Sequence, residues 1–471
     1  MNIYSNYFNN FNGAIIPHAG IQYAGNARKL IFDNLNNTDL SVKYIIYLAA
    51  LHDPSNSNDK VFVLENDTIF NDFFIKNKTN YILNNSEFTN GANNEYSFKW
   101  VQSEFKKYFK HAKILVLCPT PYSDLKKLAN DIIYFINNTD DKVLLFATTD
   151  LTHYGKRFNN LDLLKYPQQY NKWKKEENLI DDLINNNINI NNQNLDIICG
   201  PFAIKTFIYV STFFNWNGKV IDYYDSSNYN SSLIDKYSID FDNNYQEFVS
   251  YVSIIYGSFN NNILLPIDII LGIGLIKTII NSQLVNYNDE FYLPKWSLFN
   301  KMNTGVFVGT ELIKNNKHLT NSSYGNFQSE NNNTNSLIKI TNASINCLND
   351  SINRWNIPIT INNLKNHIFK IEILDDINNW IEYKSSTALK NFIFDGKHGM
   401  LLTLNNGNSA TFLPVVANDN KNKWSIEDYM NYLSLKAGGN INDWKHKDST
   451  MKIYNSISFK YIPTNNSIIS I

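Results

Sequence analysis

Four short apolar runs in the first half of the chain, residues 13–16, 44–51, 143–147 and 195–198, each lead into a residue capable of chemistry. The runs are continuous rather than alternating, which is the pattern of strands buried on both faces of a largely parallel sheet. A fifth run at 113–117 has the same character, and 248–256 supplies a closing strand. Helical stretches fall between them near 25–34, 95–109, 122–136 and 167–185. Strands alternating with helices predict an α/β domain.

In open α/β sheets, ligands sit beyond the carboxyl ends of the strands. The first run leads into Pro17-His18-Ala19-Gly20, and the second into His52-Asp53-Pro54. The third leads into Asp150-Leu151-Thr152-His153-Tyr154-Gly155, and the fourth into Cys199-Gly200-Pro201. His18, His52 and Cys199 offer two imidazoles and a thiolate, a set open to iron, copper or zinc. A facial site with vacant positions suits ferrous iron, although the usual third ligand there is a carboxylate. A closed tetrahedral zinc site would draw its fourth ligand from His153. Asp150 and His153 then read as a supporting pair that orients ligands or moves protons as acid and base. Cys199 precedes a predicted helix start at Gly200-Pro201, where the helix dipole favours negative charge. Cys118, Cys347, His111, His367 and His446 have no comparable company and read as structural.

At 471 residues the chain exceeds one ordinary core. A polar break at 258–262 marks the boundary, giving domains 1–257 and 265–471 joined by 258–264. The second half opens with an apolar window at 263–280, about long enough to span a bilayer. Pro266, Asp268 and Lys277 within it favour a helix buried in protein, starting near the proline. Strand-like runs follow at 305–309, 368–374, 400–404 and 409–412, with helices near 336–349 and 426–435, an α+β order. The 42 basic and 43 acidic residues leave a net charge of -1, without the basic excess of a general nucleic-acid binder. Three widely spaced cysteines make no disulfide framework and suit a reducing compartment. The first ten residues, MNIYSNYFNN, lack the basic and apolar regions of a signal peptide. A soluble, cytoplasmic protein without membrane association is expected.

The stretch Ile15-Ile16-Pro17-His18-Ala19-Gly20-Ile21-Gln22-Tyr23-Ala24-Gly25 resembles the Memo family signature, in which Pro-His-Ala-Gly-Tyr precedes Ser-Gly. Thr149-Asp150-Leu151-Thr152-His153-Tyr154-Gly155 is similar to its Ser-Asp-Phe-x-His-x-Gly segment, and Ile197-Ile198-Cys199-Gly200 to its Cys-Gly turn. Leu51-His52 falls where the family has Gly-Pro-Ser-His, and the resemblance spans residues 10–257. It implies a fold like that of class III extradiol dioxygenases, with His18, His52 and Cys199 as metal ligands and His153 as a further pocket histidine. It also implies iron or copper, a redox role, and an oxygenase-like enzyme if the site is active. The family's Glu-His-Ser-Leu-Glu segment reads here Glu95-Tyr96-Ser97-Phe98-Lys99, losing a histidine and a carboxylate.

The second half resembles an AMMECR-type domain over 263–462. Gly399-Met400-Leu401-Leu402, Thr411-Phe412-Leu413-Pro414-Val415-Val416 and Leu433-Ser434-Leu435-Lys436-Ala437-Gly438 carry the likeness, with Gly305-Val306-Phe307-Val308 as its opening strand. Its hallmark Leu-Arg-Gly-Cys-Ile-Gly is replaced by Leu319-Thr320-Asn321-Ser322-Ser323-Tyr324-Gly325, with Ser323 nearest the lost cysteine. A hydroxyl does not replace a thiolate at neutral pH without an activating base, so this half reads as a binding unit. The association of such domains with a radical-SAM protein makes that a candidate partner. The competing function is a scaffold whose vestigial pocket docks a protein or peptide instead of a small molecule.

Overall fold

A computed structural model of the chain describes residues 11–36, 41–51, 59–66, 81–83, 96–158, 160, 168–187, 197–238, 247–259, 264–286, 290–314, 317–318, 322–326, 335–354, 356, 358–384, 387, 398–420 and 423–471. They form two compact units, one comprising 1–268 with 294–296, the other 269–293 with 297–471.

The first unit is α/β. Its strands are β1 (Phe11–Ile16), β2 (Val42–Leu48), β3 (Val61–Asn66), β4 (Tyr81–Leu83), β5 (Lys113–Cys118), β6 (Lys142–Thr148), β7 (His153–Tyr154), β8 (Asn217–Asp225) and β9 (Phe248–Gly257). Among the described residues they make one sheet in the order β4-β3-β5-β2-β6-β1-β9, with β7 and β8 both paired to β9. The centre, β5-β2-β6-β1, is parallel, and antiparallel partners close it on either side through β3 and β9. Burial runs unbroken along the second half of each central strand, as continuous apolar runs require.

Helices α1 (Ile21–Asn36), α2 (Tyr96–Tyr108), α3 (Leu125–Asn138), α4 (Gln168–Ile184) and α5 (Pro201–Phe213) accompany this sheet. Neighbouring strand residues point to opposite faces, and β6 demonstrates both coverings. Phe146 packs against Phe32 of α1 and Phe105 of α2. The other face meets α5, where Phe207 lies against the position that a Cβ on Gly13 would take. That added carbon would also collide with the Leu145 carbonyl oxygen of the paired strand, so only glycine fits there.

The second unit is α+β. Its strands β10 (Val306–Lys314), β11 (Lys317–His318), β12 (Ser322–Asn326), β13 (His367–Leu374), β14 (Ile381–Lys384), β15 (His398–Thr403), β16 (Ser409–Phe412), β17 (Thr450–Ile462) and β18 (Ser467–Ser470) form an antiparallel sheet. The order is β11-β10-β13-β17-β15-β16, with β12 on β10 and both β14 and β18 on β17. Helix α6 (Pro266–Leu284) begins at the expected proline. It is the one described helix long and apolar enough to cross a membrane, and 72% of that window is buried inside the protein. Helix α7 (Ser336–Asn353) packs on β10 and β12, and α8 (Ile426–Lys436) starts from a Ser425–Asp428 capping box. Met400, Leu402, Tyr429, Leu433, Trp444 and Met451 centre the core beneath α8.

Substituting Gly13→Ala forces β1 and β6 apart or displaces Phe207. The expected cost is about 1–3 kcal/mol, measured as a lower urea midpoint with an unchanged slope.

Candidate metal site

The exit of β6 organises the carboxyl edge. The Thr148 hydroxyl donates to Ile16 O at 3.0 Å and stands 3.1 Å from His18 Nδ1. With the one hydrogen of that hydroxyl on Ile16 O, Thr148 accepts from Nδ1 and the lone pair of the neutral ring is on Nε2. Two residues on, buried Asp150 uses Oδ1 to accept the backbone N–H of His18 at 2.9 Å and of Ala19 at 3.4 Å. Its Oδ2 lies 3.5 Å from His18 Nε2. Burial raises the Asp150 carboxyl above its ordinary range, opposed first by the His18 N–H and then by the charge of His153.

Cys199 is tied to the same exit, its N–H donating to Asp150 O at 3.0 Å. Residues 197–200 run as turn and bend. The strand expected over 195–198 is therefore absent in its described part, and Cys199 leaves a turn rather than a sheet. Gly200 caps α5 with Pro201 at the first helical position. A Cβ there would stand 2.6 Å from Thr148 O and 2.9 Å from the Ala50 side chain. Glycine thus lets the helix start close down on the ends of β6 and β2 together, two residues before His52. His52 itself lies outside the described residues. Among the described residues, no three of His, Cys, Asp and Glu stand close enough together to hold a metal ion. None of the three cysteines is in a disulfide; Cys118 and Cys347 are buried and Cys199 is half-buried.

His153 opens a second part of the edge. Its Nδ1 lies 2.9 Å from Leu151 O; a carbonyl only accepts, so Nδ1 donates to it. Gly155, at φ +123°, lets the chain turn back, and Asn160 Nδ2 returns to donate to His153 O at 2.9 Å. The turn sets Phe158 edge-on to the imidazole, with centroids 5.1 Å apart. A cavity of about 340 Å³ lies between His153 and Cys199, with Thr152, Phe158, Asn160 and Lys175 among its walls.

The sequence reading did not single out the residues that buttress this edge. Arg28, fully buried, donates from one terminal nitrogen to Pro17 O and Ala19 O at 2.9 Å each and pairs through Nε with Glu104. It clamps the turn carrying His18. Its signal was a charge inside the apolar stripe Ala24, Ala27, Ile31 and Leu35 of α1. Behind Thr152, Glu176 accepts that residue's N–H at 3.1 Å and also the Tyr223 hydroxyl. Lys172, one turn earlier on α4, pairs with Asp225. Thr148, Asn160 and Lys175 carried no sequence signal of their own.

A parallel-centred α/β sheet with histidine, aspartate and cysteine gathered at its carboxyl edge defines a protein built around an edge-on pocket. The chain belongs to the Memo-like protein family, which its residues 2–238 match, and residues 276–459 match AMMECR1. No curated protein matches it significantly. Among solved structures it is similar to the uncharacterised protein PH0010 of Pyrococcus horikoshii, with 16% identity and a TM-score of 0.36, covering 42% of this chain and 94% of that one.

Removing the clamp in Arg28→Ala leaves Glu104 without its cation and two turn carbonyls without a donor. Unfolding measurements should register a loss of about 3–5 kcal/mol. Burial, the largest cause, raises the Glu176 carboxyl, and Lys172 pulls it back. The folded protein therefore holds that proton to higher pH than the unfolded chain, and stability falls as pH rises from the ordinary carboxylate value through the raised one. Glu176→Gln should flatten that slope above about pH 4, as read from melting temperatures across pH, with Lys172 still paired to Asp225.

Proposed function

We propose that the Memo-like domain is a metal-binding redox domain in which His18, His52 and Cys199 hold iron or copper. The observation that carries this is the seating of the Thr148 hydroxyl 3.1 Å from His18 Nδ1. With Thr148 accepting from Nδ1, the ring offers Nε2 for coordination, in the manner of metal-bound histidines whose other nitrogen is hydrogen-bonded. The approach of Asp150 Oδ2 to that nitrogen at 3.5 Å and the tight seating of Gly200 beside Ala50 also support the fit. A bound iron or copper would supply one-electron chemistry and open positions for oxygen or substrate.

The chain's own residues have distinct parts in this reading. Asp150 orients the His18 turn through two backbone hydrogen bonds, and its second oxygen holds or releases a proton beside Nε2. His153, with Nδ1 given to Leu151 O, accepts or returns a proton at Nε2. Arg28 and Glu104 keep the turn in place when the carboxylate changes charge. The AMMECR-like unit acts by binding, because its single cysteine, Cys347, is fully buried. Its Ser322–Asn326 segment, where the family's reactive cysteine would fall, is laid against β10 as a strand, with Ser323 opposite Gly309.

The test is metal content after anaerobic purification and separate reconstitution with ferrous iron, cuprous copper and zinc. Wild type should hold iron or copper near stoichiometrically, and Cys199→Ala should lose most of it. Thr148→Val, which removes the hydrogen-bond partner of His18 Nδ1 together with the donor to Ile16 O, should weaken metal binding about 10- to 100-fold. Wild type with no metal above background would overturn the reading in favour of a scaffold that docks a protein or peptide. Zinc alone at stoichiometry would remove the redox part.

A further inference from the structure

The cavity between His153 and Cys199 offers hydrogen bonds more readily than charge. At about 340 Å³ it sits at the small end of ligand cavities, roughly 300–1,000 Å³. Phe158, Ile197 and Ile198 give it apolar wall. Lys175 is the one Lys, Arg, Asp or Glu among the described lining residues, and it is already partnered, as is Cys199. Any charge on His153 acts on the Asp150 carboxyl. A charged ligand would therefore leave water without a free countercharge to meet it. Two polar groups on the wall remain open. His153 gives Nδ1 to Leu151 O, and Asn160 gives an Nδ2 hydrogen to His153 O. Among the described residues, His153 Nε2, Asn160 Oδ1 and the second Nδ2 hydrogen have no hydrogen-bond partner. Nε2 accepts when the ring is neutral and donates when it is charged, and the Asn160 amide does both at once. Both groups suit a ligand head that carries donor and acceptor together.

We propose that this cavity binds a small primary carboxamide with an apolar body. The ligand's amide meets the Asn160 amide and His153 Nε2, and its body lies against Phe158, Ile197 and Ile198. A carboxamide answers either protonation state of His153, giving an N–H to the neutral ring and its carbonyl to the charged one. A ketone supplies only the acceptor, and a carboxylate brings a charge for which the wall has no free partner. Seated there, the ligand covers Cys199, which lines the same cavity. The proposal deepens the metal reading and rests on it for any later chemistry of the ligand, whereas binding itself requires no metal.

The experiment is isothermal titration of the metal-free full chain with benzamide and two compounds of nearly the same shape, acetophenone and benzoate. Benzamide should bind about tenfold more tightly than either, the size expected when a hydrogen-bonding group on the wall is otherwise left unmet. Bound benzamide should also slow alkylation of Cys199 by N-ethylmaleimide, read by peptide mass spectrometry, while the buried Cys118 and Cys347 stay unlabelled. Asn160→Leu should remove most of the preference for benzamide over acetophenone. If Asn160→Leu does not fold, the ranking of the three compounds by wild type and the protection of Cys199 decide. Equal or tighter binding of acetophenone or benzoate, unslowed alkylation of Cys199 at saturating benzamide, an undiminished preference in folded Asn160→Leu, or no binding of benzamide would each overturn the proposal. Metal content measured after reconstitution of the same preparations separates the two readings. A chain that takes no metal yet prefers benzamide keeps this proposal and loses the metal one; a chain that takes metal without that preference does the reverse.

Discussion

The exit of β6 is the constraint on which the carboxyl edge depends. Within three residues it supplies the Thr148 hydroxyl to the His18 ring, the Asp150 carboxylate to the His18 N–H, and the Asp150 carbonyl to the Cys199 N–H. Parallel pairing makes this economical. Ile16 lies opposite Thr148, and Leu48 opposite Ala147, so β1 and β2 release their chains on either side of β6 at the same height. Residues almost two hundred positions apart in sequence then depend on one strand end.

Buried charge supports that strand end. Arg28 joins α1 to α2 through Glu104 while gripping the carbonyls around His18. Glu176 holds the stretch before His153 through Thr152, and Lys172 pairs with Asp225 beside it. Replacing such networks with apolar side chains is often neutral for stability, yet apolar groups would not receive the backbone donors and offer the backbone acceptors of these turns. Their contribution here is the position of the turns.

The second unit follows a different rule. Its long strand β17 pairs with β13, β15, β14 and β18, so one segment near the end of the chain joins both halves of the antiparallel sheet. The Thr411 hydroxyl spans to the Tyr454 hydroxyl and to Met400 O, linking three neighbouring strands. Gly399 is tied to the same place, since a Cβ would meet the Tyr454 ring.

By itself the sequence determined the two fold classes, most of the longer helices, half of the described strands, and the arrival of His18, Asp150 and His153 beyond strand ends. Apolar periodicity and its interruptions are local properties that need no partner to be legible. The Leu195–Ile198 run read as a strand because apolar content alone does not separate a strand from a buried turn; its described residues, 197 and 198, lie in a turn that leads into the close contacts of Gly200 with Thr148 and Ala50. The long β17 went unread because its polar positions at 455, 456 and 458 break the apolar pattern. Only tertiary structure decided the ring partners of His18 and His153, the clamp from Arg28, and the placing of Lys175 in one cavity lining with Cys199. Each depends on atoms brought together from distant segments, and hydrogen-bond direction and burial exist only once those segments have met.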